Sequence, residues 1–182
     1  MTPAKILISE HKHILEALEL EKQAVLILQN GDRPEKKFFT NLIEFLRGFA
    51  DKCHHAKEEN IFLPALCQAS EEYKRLADYI YKDHARGREL VTSLEENVDK
   101  YYGGYVSARA MIISSANEYI VLLTRHIKNE DEFFPVAEKT LPAEMVMRMS
   151  DDFENIEMEE IGEGVHDKFV SLLEETKKLL EK

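Results

Sequence analysis

Two short stretches of this sequence each combine a histidine with a glutamate four residues later. The first pair is His54 and Glu58, and the second is His126 and Glu130. A four-residue spacing stacks both side chains on one face of a helix. Imidazole and carboxylate groups that point together into a helical core suit a transition-metal ion. Because the pair occurs twice, the sequence predicts a site for two metal ions.

Two further histidines follow the same duplication. His11 and His84 each come directly after an acidic residue and lie 73 positions apart, close to the 72 positions between His54 and His126. These offsets indicate an internal duplication of a helical hairpin. In an antiparallel bundle, residues equally far from a connecting turn share a level, and all four histidines fall within about one helical turn of a common level. We therefore predict that they line one cavity together with the two glutamates.

The chemistry of this donor set favours a metal ion over simple packing. A single core histidine is usually a packing residue with a hydrogen-bond partner. Four histidines and two glutamates at one level would bury several charged and polar groups at considerable cost, which a metal ion removes. Two histidines and two bridging carboxylates per ion leave positions open on an octahedral ion for a bridging oxo or hydroxo group and an external ligand. Mixed nitrogen and oxygen ligation favours iron, with manganese or zinc as alternatives.

The first stretch allows a second register. His55 and Glu59 have the same spacing as His54 and Glu58. We favour His54 with Glu58 because they continue the apolar seam of their helix, whereas the face of His55 carries acidic residues. The interpretation with His55 and Glu59 stays open.

The second stretch also allows another choice. Asp131 lies five residues after His126 and could replace Glu130 as the bridge. The match to the four-residue spacing of the first copy favours Glu130. Of the remaining histidines, His13 faces away from the apolar seam and is expected at the surface. His166 lies outside the duplication and is expected at the surface or in packing.

Four long amphipathic segments are available to position these side chains. Apolar residues recur along each at alternating spacings of three and four, interrupted in the first only at Glu21. Short polar turns such as 30–34 and 103–104 separate them. The sequence predicts an all-α fold, an up-down-up-down four-helix bundle over residues 1–138. Residues 139–182 are predicted to form a helical extension packed on the bundle.

Composition limits the partners of this chain of 182 residues. The net charge of −11 argues against nucleic acid and anionic membranes as partners. No stretch approaches the roughly 20 apolar residues of a membrane span. Cys53 and Cys67 would lie too far apart on one helix to form a disulfide. We therefore expect a reduced, cytoplasmic location.

At the histidines and glutamates of the predicted metal site, the sequence resembles the hemerythrin-like, HHE cation-binding family, and the resemblance covers about residues 5–138. The resemblance rests on the acid–histidine pairs and on two histidine–glutamate stretches that run to prolines, namely Glu10-His11, Asp83-His84, His54 to Pro64 and His126 to Pro135. It implies a four-helix bundle that holds a non-heme, oxygen-bridged di-iron centre. Carried over, the iron ligands would be His11, His54, His84 and His126, with Glu58 and Glu130 as bridging carboxylates.

The sequence departs from the oxygen-carrying members of that family. Those members have a fifth histidine one turn after the third-helix ligand, where this chain has Arg88, and they use an aspartate as one bridge. The set found here is closer to members that act in sensing, iron handling and stress response. The leading hypothesis is a binding protein whose two irons take dioxygen or nitric oxide. The alternatives are a di-iron enzyme (ferroxidase, peroxidase or nitric oxide reductase) and an iron storage or iron-sensing protein; the sequence assigns no protein partner.

Overall fold

A computed structural model describes residues 1–156, 158, 162 and 164–181, and every regular element in this part of the chain is helical. The bundle helices are α1 (Pro3–Gln29), α2 (36–69), α3 (Glu71–Tyr102) and α4 (Ala108–Glu138). Two further helices follow them, α5 (Ala143–Asn155) and α6 (Val165–Lys178). The predicted all-α helical bundle is therefore confirmed. The boundary between residues 138 and 139 as a domain limit stays a prediction.

Local sequence sets where the helices begin and end. Pro3 opens α1, a position where its missing N–H group removes no hydrogen bond. Gly31 follows the end of α1 with φ +93°, a conformation that glycine adopts without strain. Ser70 has an extended backbone that ends α2, and its hydroxyl accepts a hydrogen bond from the backbone N–H of Glu72 in α3.

Helix α2 changes its winding where the spacing of three and four predicts an α-helix throughout. The segments Leu46–His55 and Glu58–Phe62 are π-helical, with hydrogen bonds that span five residues instead of four. Such turns are rare and frequently occur at functional sites. The wider turn places both His54 and His55 inside the bundle. The winding of α2 therefore changes which side chains reach the interior.

Buried apolar side chains form two clusters, one on each side of a polar layer. Along α1, for example, Leu7 belongs to one cluster and Ile14 to the other, and His11 lies between them. Burial of this apolar surface, about 25 cal/mol per Å², stabilises the bundle against the cost of the polar layer. Glu21, which interrupts the apolar pattern, is fully buried, and burial raises its pKa well above the usual value. Burial therefore favours the neutral form of this acid.

The described helices of the extension contact the bundle through apolar side chains. Phe153 of α5 joins the cluster that contains Leu7. Phe169 of α6 packs so closely on α2 that a Cβ atom added to Gly48 would lie 2.0 Å from its ring. His13, expected at the surface, is instead half-buried, and the ring of the α6 residue His166 lies 6.0 Å from its own, centroid to centroid. None of the helices described combines the length and apolar character that a membrane crossing requires.

Candidate metal centre

Four histidines from the four bundle helices meet in two pairs within the polar layer. The Nε2 atoms of His11 and His54 are 3.1 Å apart, and those of His84 and His126 are also 3.1 Å apart. No side chain of the four is more than 3% exposed. The sequence predicted that the four histidines share one level of the bundle, and in the structure the two members of each pair are in direct contact.

Two carboxylates connect the histidine pairs. One oxygen of Glu58 lies 3.4 Å from Nε2 of His54, and its other oxygen lies 3.2 Å from Nε2 of His84. Glu130 repeats this arrangement with the other histidine of each pair. Its oxygens lie 3.4 Å from Nε2 of His11 and 3.1 Å from Nε2 of His126. Each carboxylate thus faces one histidine of each pair, which is the arrangement that a bridging carboxylate requires.

A second set of carboxylates faces the outward nitrogens of the same histidines, each from a neighbouring helix. The Nδ1-to-oxygen distances are 2.7 Å for His11–Asp131, 2.9 Å for His54–Glu10, 2.7 Å for His84–Glu59 and 3.4 Å for His126–Asp83. A carboxylate at Nδ1 fixes the tautomer and directs Nε2 toward a metal ion. The acidic residue before His11 and the one before His84 therefore act on the histidine of the next helix.

These contacts distinguish the residues of the two open alternatives. Glu59 and Asp131 occupy equivalent positions in the duplication, and both contact the outer nitrogen of a histidine. Glu58 and Glu130 are at most 2% exposed and point inward. The structure therefore places the favoured glutamates between the histidine pairs and the alternative acids outside them.

The expectation that His55 lies off the seam is wrong. Its side chain is 4% exposed, and its ring stacks on that of His84 with 3.8 Å between the centroids. One potential ligand atom from each of His55, Glu58, His84 and His126 lies within 4.8 Å of the others. The π-helical winding of α2 brings His55 inward next to His54, and a spacing argument that assumes an α-helix cannot detect it. The sequence signals for His55 were its adjacency to His54 and its four-residue spacing to Glu59.

Sequence reasoning also missed a buried ion pair behind His54. Lys57 is completely buried and forms an ion pair with Glu10, whose other oxygen faces His54. Lys57 appeared in the sequence only as part of the first stretch, without a role. Its charge balances a carboxylate that would otherwise be costly to bury.

The buried charges of the site act strongly on one another. Burial, and next the charge of Glu130, raise the pKa of Glu58 to about 8. Burial opposes ionisation of Glu130 too, but the His126 and His11 imidazoles, at 3.1 and 3.4 Å from its oxygens, lower its pKa. For His126, burial lowers the pKa, but the charge of Glu130 and contact with Asp83 outweigh it and raise the value to about 10. The raised pKa values of Glu58 and His126 favour their protonated forms, and a metal ion would displace those protons.

The donor atoms fit a pair of transition-metal ions. Among the described residues, no hydrogen bond satisfies either oxygen of Glu58 or of Glu130. A buried carboxylate in that condition is costly unless a cation binds it. Two nitrogens 3.1 Å apart, each about 2.1 Å from one ion, would subtend about 95°, close to octahedral geometry. The set His11, His54, Glu58 and Glu130 also lies within 4.8 Å and forms a second cluster that could hold an ion.

Two cavities approach this centre. The larger, about 150 Å³, runs from His55 and Tyr119 to the partly exposed side chains of Arg47 and Arg88. The smaller, about 50 Å³, reaches His126 from the other side of α3. The first has room for a diatomic molecule.

Comparison with known proteins agrees with this arrangement of residues. A family model described as the Hemerythrin HHE cation binding domain matches residues 2–137. No curated protein and no solved structure gives a significant match. The matched range ends at the last turn of α4, so it includes all four bundle helices and excludes α5 and α6.

Proposed function

The chain belongs to the hemerythrin HHE cation-binding family, and from that premise we propose that it holds a non-heme di-iron centre that binds dioxygen or nitric oxide. The observation that supports this most directly is the position of Glu58 and Glu130, each between one histidine of either pair. A carboxylate in that position serves two ions at once.

In this proposal each ion takes one histidine pair. His11 and His54 would hold the first ion, His84 and His126 would hold the second, and Glu58 and Glu130 would serve both. Iron suits a mixed set of imidazole and carboxylate with open positions, and manganese or zinc are the competing ions. A pair of ferrous ions supplies electrons and an open coordination position for a diatomic ligand.

The residues around the site prepare it for such a ligand. The carboxylate at each Nδ1 orients the ring and leaves Nε2 as the nitrogen that can bind a metal ion, which displaces any proton there. The apolar clusters above and below the polar layer exclude bulk water. The cavity beside His55 gives a small molecule a path from the surface. Together these features favour binding of a small, uncharged ligand at a protected site.

Anaerobic loading with ferrous iron tests the proposal. We expect about two irons per chain and a change in the absorption spectrum when dioxygen or nitric oxide is added. Glu58→Ala should lose iron and the gas response. Glu132→Ala, which removes an equal charge from the exposed face of α4, should keep both.

Three results separate the alternatives. Retention of two irons without a spectral response to either gas would contradict gas binding and favour iron storage or iron sensing. Steady consumption of peroxide or nitric oxide that is lost in Glu58→Ala would assign an enzyme. Failure of the wild-type chain to take up iron would reject the di-iron centre itself.

A further inference from the structure

We propose that His55 is a third histidine ligand for the metal ion beside His84 and His126, so that the two metal positions are unequal. This inference rests on the proposed di-iron function and deepens it. The residue is not among the six ligands that the resemblance carries over to this chain. Its assignment comes from its surroundings.

The first observation is a buried imidazole nitrogen that no described residue satisfies. His55 is 4% exposed, and its Nδ1 faces the carboxylate of Asp51 at 3.4 Å. Within the described part of the chain, its Nε2 forms no hydrogen bond. Burial of an unsatisfied ring nitrogen is costly. Coordination of a metal ion by that nitrogen removes the cost.

The second observation is where the imidazole lies. His55 forms a cluster with Glu58, His84 and His126, whereas the cluster of His11 and His54 contains no third histidine. The centroid of its ring is 3.8 Å from that of His84, 5.7 Å from that of His54 and 6.2 Å from that of His126. The grouping of its donor atom with those of Glu58, His84 and His126 assigns it to that metal position.

The third observation comes from the internal duplication. The offset of 72 residues that relates His54 to His126 relates His55 to Ile127, which is 2% exposed. The corresponding place in the second copy is thus buried but has no donor atom. A duplicated bundle with equivalent histidine pairs becomes asymmetric through this one difference in residue type.

Arg88 holds the carboxylates that face two of these histidines. Its guanidinium donates hydrogen bonds to Asp51 at 2.7 Å and to Glu59 at 2.8 Å. Asp51 faces Nδ1 of His55, and Glu59 faces Nδ1 of His84. Both imidazoles therefore have a fixed outer carboxylate, as expected of a pair that serves one metal ion.

A third histidine would make the two ions unequal. An ion held by three histidines and two carboxylate oxygens would have fewer free positions than an ion held by two histidines and two carboxylate oxygens.

Mössbauer spectroscopy of the protein loaded with ⁵⁷Fe(II) under anaerobic conditions tests the inference without reference to activity. We expect two signals of equal area for the wild type, and nearly identical signals for His55→Ile, which copies Ile127. Chelator competition should show one iron bound at least about tenfold more weakly in the variant, since even outer partners of metal ligands contribute about 10- to 100-fold. His166→Gln, which removes a histidine outside the site, should match the wild type.

Rescue by a small molecule separates ligation from a structural role. The cavity of about 150 Å³ that ends at His55 gives imidazole access to the gap left by His55→Ala. Added imidazole should restore the two distinct signals and the affinity for the second iron. If His55→Ile fails to fold, imidazole rescue of His55→Ala and the wild-type Mössbauer spectrum still test whether His55 is a metal ligand.

Failure of this inference differs from failure of the proposed function. A wild type that binds two irons with identical signals, or a His55→Ile protein that keeps both signals and both affinities, would overturn the role of His55 and leave the di-iron centre intact. A wild type that binds no iron would overturn both.

Discussion

The carboxylate of Asp131 lies 2.7 Å from Nδ1 of His11, on the outer side of the ring, while the adjacent Glu130 approaches Nε2 of the same ring from the inside. Two successive acids on α4 thus contact opposite nitrogens of one imidazole. The inner acid connects the histidine pairs, and the outer acid fixes the orientation of one ring. Their removal should therefore have different consequences.

Asp131→Ala should retain both metal ions and bind them about 10- to 100-fold more weakly, because an outer partner tunes a ligand without being one. Glu130→Ala should lower the number of ions bound, since it removes a ligand from both. Competition with a chelator, followed by metal analysis, measures both quantities. Equal loss of bound metal in the two variants would contradict the distinction.

The ion pair of Glu10 and Lys57 should dominate the stability of the first histidine pair. Removal of one partner of a buried ion pair costs about 3–5 kcal/mol, so Glu10→Ala should lower the free energy of unfolding by that order. Asp83 is equivalent to Glu10 in the duplication, but it is 23% exposed and pairs with exposed Arg125. Asp83→Ala should therefore lower the free energy of unfolding by clearly less than Glu10→Ala does. Urea denaturation of the metal-free proteins measures both, and equal costs would refute the role of Lys57.

The metal-free protein should lose stability as pH rises from 6.5 to 8. The pKa of Glu58 is raised from 4.5 to about 8 and that of His126 from 6.5 to about 10. Both groups therefore hold a proton in the folded chain that the unfolded chain has released, and stability falls as pH increases. Burial lowers the pKa of His54 and His55 below the usual value of 6.5. These two groups therefore make stability rise with pH, but only below about pH 6.5, outside the window of the predicted loss. Urea midpoints at several pH values measure the trend.

Glu58→Gln provides the control for this trend. The amide cannot titrate, so the loss of stability with pH should become shallower, by up to about 1.4 kcal/mol per pH unit. Metal affinity should rise with pH through the same window in the wild type, because the ion displaces the protons of Glu58 and His126. An unchanged slope in the variant would show that Glu58 is ionised in the folded protein.

The contact of α6 with α2 should respond to one methyl group. In Gly48→Ala the new Cβ would lie 2.0 Å from the ring of Phe169, and overpacking of this kind costs about 1–3 kcal/mol. In a Phe169→Ala background, Gly48→Ala should lower the free energy of unfolding by much less. A double-mutant cycle of unfolding free energies measures the coupling. Additive costs would indicate that α6 does not rest on Gly48 in solution.

The sequence by itself determined a large part of this molecule. The apolar spacing of three and four predicted the all-α bundle, because an amphipathic helix must turn its apolar face to a core whatever its neighbours are. The duplication and the equal distances from the turns predicted that His11, His54, His84 and His126 share a level. Helix rise is nearly constant, so distance along a helix converts directly into depth.

Only the tertiary structure decided which neighbouring side chain contacts which atom. Glu59 and Asp131 are close in sequence to the favoured glutamates, and their contacts with outer histidine nitrogens depend on where adjacent helices lie. The position of His55 depends on the π-helical winding of α2. A hydrogen-bond pattern of five residues in place of four keeps the backbone groups paired, so local sequence alone does not select it. Packing of α2 against the other helices makes that selection, and with it brings His55 to the candidate metal centre.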